Sequence, residues 1–248
     1  MKSEPPAGCV EVTLKGAGIL LKGWRGECHG KYRGTVIYLH GVADNRASGA
    51  GIMVNYLKRG FDVLAFDSRA HGESGGEGCT YGFFEKEDLR KVMDTLRPGP
   101  VVLIGSSLGG AVALQLAAID SRVSAVVSAE AFSDLRVVAA ERAPFFFTSG
   151  MIERSFAKAE GEAGFRIDEV SPATAAKGIT IPVLIIHGAA DVDTPPSHAK
   201  RIFAALSGEK RLILVPGAPH NKSLSGGEIW KEIEHWIDSV IPPSGDKE

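Results

Sequence analysis

Cysteine is scarce: Cys9, Cys28 and Cys79 are three in 248 residues, scattered and odd in number. That argues against a disulfide framework or a C-x-x-C metal site and fits a reducing cytoplasm, the expected location. No metal ligand set and no cofactor is expected. Charge of one sign is lacking too. The formal net charge is −2, and no dense Lys/Arg block is present, so a nucleic-acid partner is not expected. Residues 1–8 are polar and proline-containing, without the apolar core of a signal peptide, and no uninterrupted apolar run is long enough to span a bilayer. Neither phosphate-binding signature, a Gly-Lys-Ser/Thr ending or a G-x-G-x-x-G spacing, occurs at the glycine-rich stretch described next.

What the chain does have is Val101-Val102-Leu103-Ile104-Gly105-Ser106-Ser107-Leu108-Gly109-Gly110, followed by an alanine- and leucine-rich run. An apolar β-branched strand breaks at glycine and re-enters as a helix. Gly105-Ser106-Ser107-Leu108-Gly109 fits the G-x-S-x-G nucleophile elbow, in which a sharp turn lifts a serine Oγ clear of the sheet. Glycines suit the close approach of strand and helix there. A glycine-rich turn holding a phosphate is the plainer reading, and the remaining chain has to decide between them.

Strands are expected at residues 10–14 and 19–26 (an edge hairpin), 35–39, 61–66, 101–104, 123–128, 182–186 and 211–215. Helices are expected at 47–59, 83–96, 111–119, 196–206 and 227–241. Nearly continuous apolar strands alternating with helices imply a mainly parallel sheet of about eight strands, with helices on both faces. The length suits one α/β domain, residues 1–248. Only residues 130–180 break the rhythm, and 242–248 reads as a disordered tail.

Reactive groups in such sheets gather at the carboxyl ends of the strands. His40, Asp67, Ser107, His187, Asp191 and His220 all lie there. A serine hydroxyl needs a base, and the base an orienting carboxylate. Ser107, Asp191 and His220 supply these groups in the chain order Ser, Asp, His expected on this sheet. Asp193 is the alternative acid, or else caps the helix starting near Pro195. His71 is the rival base but precedes the serine. His29, His198 and His235 read as solvated or hydrogen-bonded structural residues, His198 on a surface helix. The oxyanion hole is expected from the backbone N–H groups of Leu108 and Val42. His40 is expected to act as a structural hydrogen-bonder at the pocket edge, and Ser106 as a structural or pocket-lining neighbour.

These pieces resemble the α/β-hydrolase superfamily, and within it the small serine esterases related to the catalytic domains of prolyl-oligopeptidase-type acylpeptidases. The matching stretches are His40-Gly41-Val42 with Asn45-Arg46, Asp67-Ser68-Arg69-Ala70-His71-Gly72-Glu73-Ser74, and Tyr81-Gly82 with Glu85 and Asp88. The elbow, Ser171-Pro172, His187-Gly188-Ala189-Ala190-Asp191 and His220 match as well. The resemblance implies an α/β-hydrolase fold with Ser107, Asp191 and His220 as triad, and Val42 and Leu108 as oxyanion donors. Two departures are Ala70, where relatives often carry glycine, and Ala218-Pro219 ahead of His220. The propeller domain of peptide-cleaving relatives is not in the sequence, so a small-molecule ester is the expected substrate. The wider alternatives are a thioesterase, amidase or small acylpeptidase on the same residues, or a non-catalytic ligand-binding scaffold. Residues 130–180 fall where this superfamily often inserts a cap. Phe146, Phe147 and Met151 there either line an acyl pocket or pack the cap onto the body.

Overall fold

A computed structural model describes residues 4–243, so the last five residues of the expected tail lie outside the described region. Eight strands form one sheet: β1 (Cys9–Lys15), β2 (Leu20–Gly26), β3 (Gly34–Leu39), β4 (Phe61–Phe66), β5 (Val101–Ser106), β6 (Val123–Ala129), β7 (Val183–Gly188) and β8 (Lys210–Val215). Their spatial order is β1-β2-β4-β3-β5-β6-β7-β8. β1 and β2 form the expected antiparallel hairpin, β2 also meets β4 antiparallel, and every later pairing is parallel.

Side-chain alternation splits the core into two layers. In β5, Val101 and Leu103 face one side while Val102 and Ile104 face the other; in β3, Ile37 and Leu39 oppose Val36 and Tyr38. Helices α1 (Ala50–Lys58) and α8 (Gly227–Val240) cover one face through Met53, Tyr56, Ile233 and Trp236. Against the opposite face lie α2 (Glu85–Met93), α3 (Leu108–Ala117), α6 (Pro172–Ala176) and α7 (Ser197–Ala205), represented by Leu89, Leu114, Ala176 and Ile202. Burying both faces is what makes the strands read as unbroken apolar runs.

The helix expected over 83–96 is shorter. The buried Glu85 side chain accepts from the Thr80 and Gly82 amides, each at 2.7 Å, and from the Thr80 hydroxyl at 2.6 Å. Tyr81 and Gly82 take positive φ values of 56° and 115°, so 80–84 turns instead of coiling. The helix expected over 47–59 begins as a 3₁₀ turn, Arg46–Gly49, capped by the Asn45 side chain on the Ala47 amide.

Between β6 and β7 the chain makes its long excursion. It holds α4 (Leu135–Glu141), α5 (Ser149–Ala163) and α6, whose N-terminal amides are met by the side chains of Asp134, Thr148 and Ser171. α5 buries only Phe156 and ends at Gly164 in the left-handed region, φ 66°.

Candidate active site

Ser107 sits between β5 and α3 with φ 50° and ψ −111°, a conformation L-residues rarely adopt. Its surroundings require glycine. A Cβ at Gly105 would run into the Gly109 backbone, and one at Gly109 into the Leu39 carbonyl. The sharp turn presents the Ser107 hydroxyl at the mouth of a cleft of about 500 Å³, and α3 begins at Leu108.

His220 reaches that hydroxyl: its Nε2 lies 3.1 Å from Ser107 Oγ. On the other side of the ring, Nδ1 is 2.7 Å from Asp191 Oδ2. Parallel pairing of β7 with β8 brings the two loops together. The Ala189 amide donates to the Val215 carbonyl at 2.9 Å, and the Ala190 amide to the Ala218 carbonyl at 3.0 Å. Gly188 lies so close to the Ala218 carbonyl that any Cβ would clash.

Asp191 is buried, and its second oxygen, Oδ1, accepts the amides of Asp193 at 3.0 Å and Thr194 at 2.8 Å. His187, also buried, directs Nε2 at the Thr194 carbonyl, 2.7 Å away, and stands 3.3 Å from Asp191 Oδ2. These contacts fix the carboxylate in place.

Val42 lies near the serine. Val42 lines the cleft with Ser107, and a Cβ on Gly41 would stand 3.5 Å from the Ser107 Cβ. The Leu108 amide belongs to the first turn of α3, where N–H groups have no partner within the helix. His40 is buried and held on both nitrogens, with Nε2 accepting the Ser68 amide at 2.9 Å and Nδ1 2.7 Å from the Gly41 carbonyl. Burial pushes its pKa below the usual histidine range. Those bonds fix the entry to the Val42 loop.

Other expected residues fall elsewhere. Ser106 is the last residue of β5, paired with Ala129 of β6. Phe146, Phe147 and Met151 are not among the cleft's lining residues; Phe146 is 63 % exposed and Phe145 99 %. The lining is instead polar, with Glu141, Arg142, Asp193 and Asn221 beside Val42 and Val192. Arg142 ties α4 to the acid loop, its Nε 2.7 Å from the Asp193 carbonyl and its Nη2 2.6 Å from Thr194 Oγ1.

Two expectations, for Asp193 and His198, change. Asp193 does not cap α7, whose first turn follows Pro196 with no side-chain cap; its backbone serves Asp191 and Arg142 instead. His71 places Nδ1 2.8 Å from the Arg69 carbonyl, while the Ser107 hydroxyl is met by His220. His198 is not a surface residue. It is fully buried, its Nδ1 accepts the Ser133 amide at 3.0 Å and lies 2.8 Å from Ser133 Oγ, and its Nε2 stands 2.8 Å from Glu141 Oε2. α7 packs inward through Ala199 and Ile202, and His198 precedes that buried stripe.

The polar loop after β4 is structural in its contacts. Buried Asp67 accepts the Arg46 and Glu73 amides, each at 2.8 Å, and pairs with the Arg46 guanidinium. Arg69 holds Asp88 through two bonds of 2.8 and 2.9 Å. Among the described residues no group of three or more His, Cys, Asp or Glu side chains is arranged to hold a metal ion. Nor is any helix there long and apolar enough to cross a membrane.

Comparison with known proteins agrees with the fold. A sequence profile described as alpha/beta hydrolase fold matches residues 34–155. The uncharacterized protein YqkD of Bacillus subtilis (strain 168) is 31% identical over 220 residues, covering 83% of this chain and 72% of that protein. Among solved structures, the Pyrococcus furiosus esterase Pf2001 superposes with a TM-score of 0.75 at 24% identity, covering 94% of this chain and 93% of the esterase. A Pyrococcus horikoshii acylaminoacyl peptidase gives a TM-score of 0.74 at 13% identity, covering 97% of this chain but 43% of the peptidase. With its sheet order, its elbow and this similarity together, the chain belongs to the alpha/beta hydrolase fold family.

Proposed function

We propose that the protein is a serine hydrolase that cleaves carboxylic esters of small molecules through an acyl-enzyme. One observation carries the reading: the unbroken line from Ser107 Oγ through the His220 ring to Asp191, at 3.1 and 2.7 Å. In the acylation step His220 Nε2 takes the Ser107 proton as Oγ attacks the ester carbonyl. The resulting oxyanion is met by the N–H groups of Val42 and Leu108, each worth roughly 3 kcal/mol in the transition state. The imidazolium, stabilised by Asp191, then protonates the departing alcohol. Water attacks the acyl-enzyme by the same route in reverse and frees the acid. The residues themselves supply nucleophile, base and oxyanion donors.

Similarity of fold to the Pyrococcus furiosus esterase supports the ester as substrate. The test is labelling with a fluorophosphonate, which reacts only with an activated serine, followed by peptide mass spectrometry. Modification at Ser107, abolished in His220→Ala, supports the reading. A folded protein that takes no label overturns it.

A further inference from the structure

One buried carboxylate beside this site has no part in the proton path. Glu130 follows β6 directly and is 1 % exposed. Its amide donates to the Ile186 carbonyl of β7 at 2.8 Å, which anchors the residue to the sheet. Its φ of 54° lies in the left-handed region, which a glutamate enters only under constraint. The turn aims the side chain at the loop carrying His220. There Oε2 accepts the Asn221 amide at 2.7 Å, and Oε1 accepts the amides of Ser223 at 2.8 Å and Lys222 at 3.2 Å. Lys222 shares its amide with the Pro219 carbonyl, also at 3.2 Å. Asn221 is itself left-handed, φ 62°, so the chain reverses sharply right after His220.

We infer that Glu130 is a positioning residue for His220, holding the base loop by its backbone as Asp191 holds the ring by its side chain. This deepens the hydrolase reading and rests on it. The chemistry of the contact sets the requirement. All three neighbours are N–H donors and both oxygens accept, so only a carboxylate satisfies the cluster, and a strand end offers a rigid origin for it. Upstream of His220 the loop is tied to the acid loop by the Ala190 amide on the Ala218 carbonyl, and downstream of it Glu130 takes the amides of Asn221, Lys222 and Ser223. Displacing a catalytic group by an ångström costs about 100-fold in rate.

Glu130→Gln keeps the shape but turns one acceptor into a donor facing backbone N–H groups. With a short-chain p-nitrophenyl ester, the variant is expected to lose about 100-fold in kcat, with KM changed by less than about threefold. The rate at which fluorophosphonate modifies Ser107 falls with it. A folded Glu130→Gln protein with wild-type kcat and labelling rate overturns the inference, as does a loss confined to thermal stability. Should Glu130→Gln not fold, amide hydrogen exchange on the wild-type chain decides: protection of Asn221 and Ser223, whose amides meet Glu130, supports the hold, and exchange at the rate of free loop amides overturns it. A wild-type chain that neither labels nor turns over esters marks failure of the hydrolase reading itself. The exchange measurement then still reports on Glu130 alone.

Discussion

Asp191 divides its carboxylate between two duties: Oδ2 stands 2.7 Å from His220 Nδ1, while Oδ1 takes the amides of Asp193 and Thr194. The ring contact requires Nδ1–H to donate, which leaves Nε2 free to accept the Ser107 proton. Asp191→Asn puts a donor or a neutral oxygen at that contact and favours the wrong tautomer. Turnover is expected to fall by about four orders of magnitude with folding retained. Steady-state kinetics and circular dichroism on the same preparation check it; a loss under tenfold contradicts the role.

Two buried histidines make stability depend on pH. Burial lowers the pKa of both His40 and His198, and at His198 it outweighs the opposing pull of the Glu141 carboxylate on Nε2. Below the unfolded value of about 6.5, the unfolded chain takes up protons that the native rings refuse. Stability from these sites is therefore complete above that pH and is lost as pH falls through it, by at most about 1.4 kcal/mol per pH unit for each ring. Urea unfolding between pH 7 and 5 should show this slope, and His198→Asn should make it shallower. An unchanged slope would contradict the assignment.

Ala70 has φ 57°, in the region where an alanine Cβ crowds the backbone. It is the position at which relatives often carry glycine. Ala70→Gly is expected to stabilise by about 0.5–1 kcal/mol, the relief of strain exceeding the added freedom of the unfolded chain. For a chain of this length that is a rise of roughly 1–4 °C in Tm, read by calorimetry.

Phe146 is largely exposed and meets Phe145 and Phe147 edge-to-face at ring separations of 5.5 and 5.4 Å. The structure holds it outside the cleft lining, on the segment that leaves Arg142. Removing it should cost less than about 0.5 kcal/mol of stability. If the aromatic cluster contacts long acyl chains, Phe146→Ala raises KM for decanoate and longer esters and leaves acetate unaffected. A uniform change across chain lengths would assign the cluster to packing alone.

The sheet and its principal reactive groups were legible because two strong rules apply to them. Unbroken apolar runs, buried on both faces, mark the central strands, and the elbow pentapeptide fixes which serine stands at a strand end. Asp191 and His220 followed from their places after β7 and β8. Glu130 obeys the same strand-end rule after β6, yet its role depends on a backbone contact with residues 221–223, and amides leave no residue-type signal. His198 borders the single buried stripe of α7, Ala199 and Ile202, and only its bonds to Ser133 and Glu141 show that it lies inside. Glu85 shortened α2 for a comparable reason: a side chain competing for backbone donors overrides helix propensity. The polar cleft was out of reach, because Arg142 joins α4 to the acid loop across about fifty residues of chain, a contact with no sequence signal.

Hydrolysis of p-nitrophenyl esters from acetate to palmitate, measured for the wild-type protein and Ser107→Ala side by side, tests the central claim most directly. The account predicts turnover by the wild type and a loss on the order of a millionfold in the variant, which brings it to background. Equal turnover by the two proteins would show that Ser107 is not the nucleophile and contradict the account.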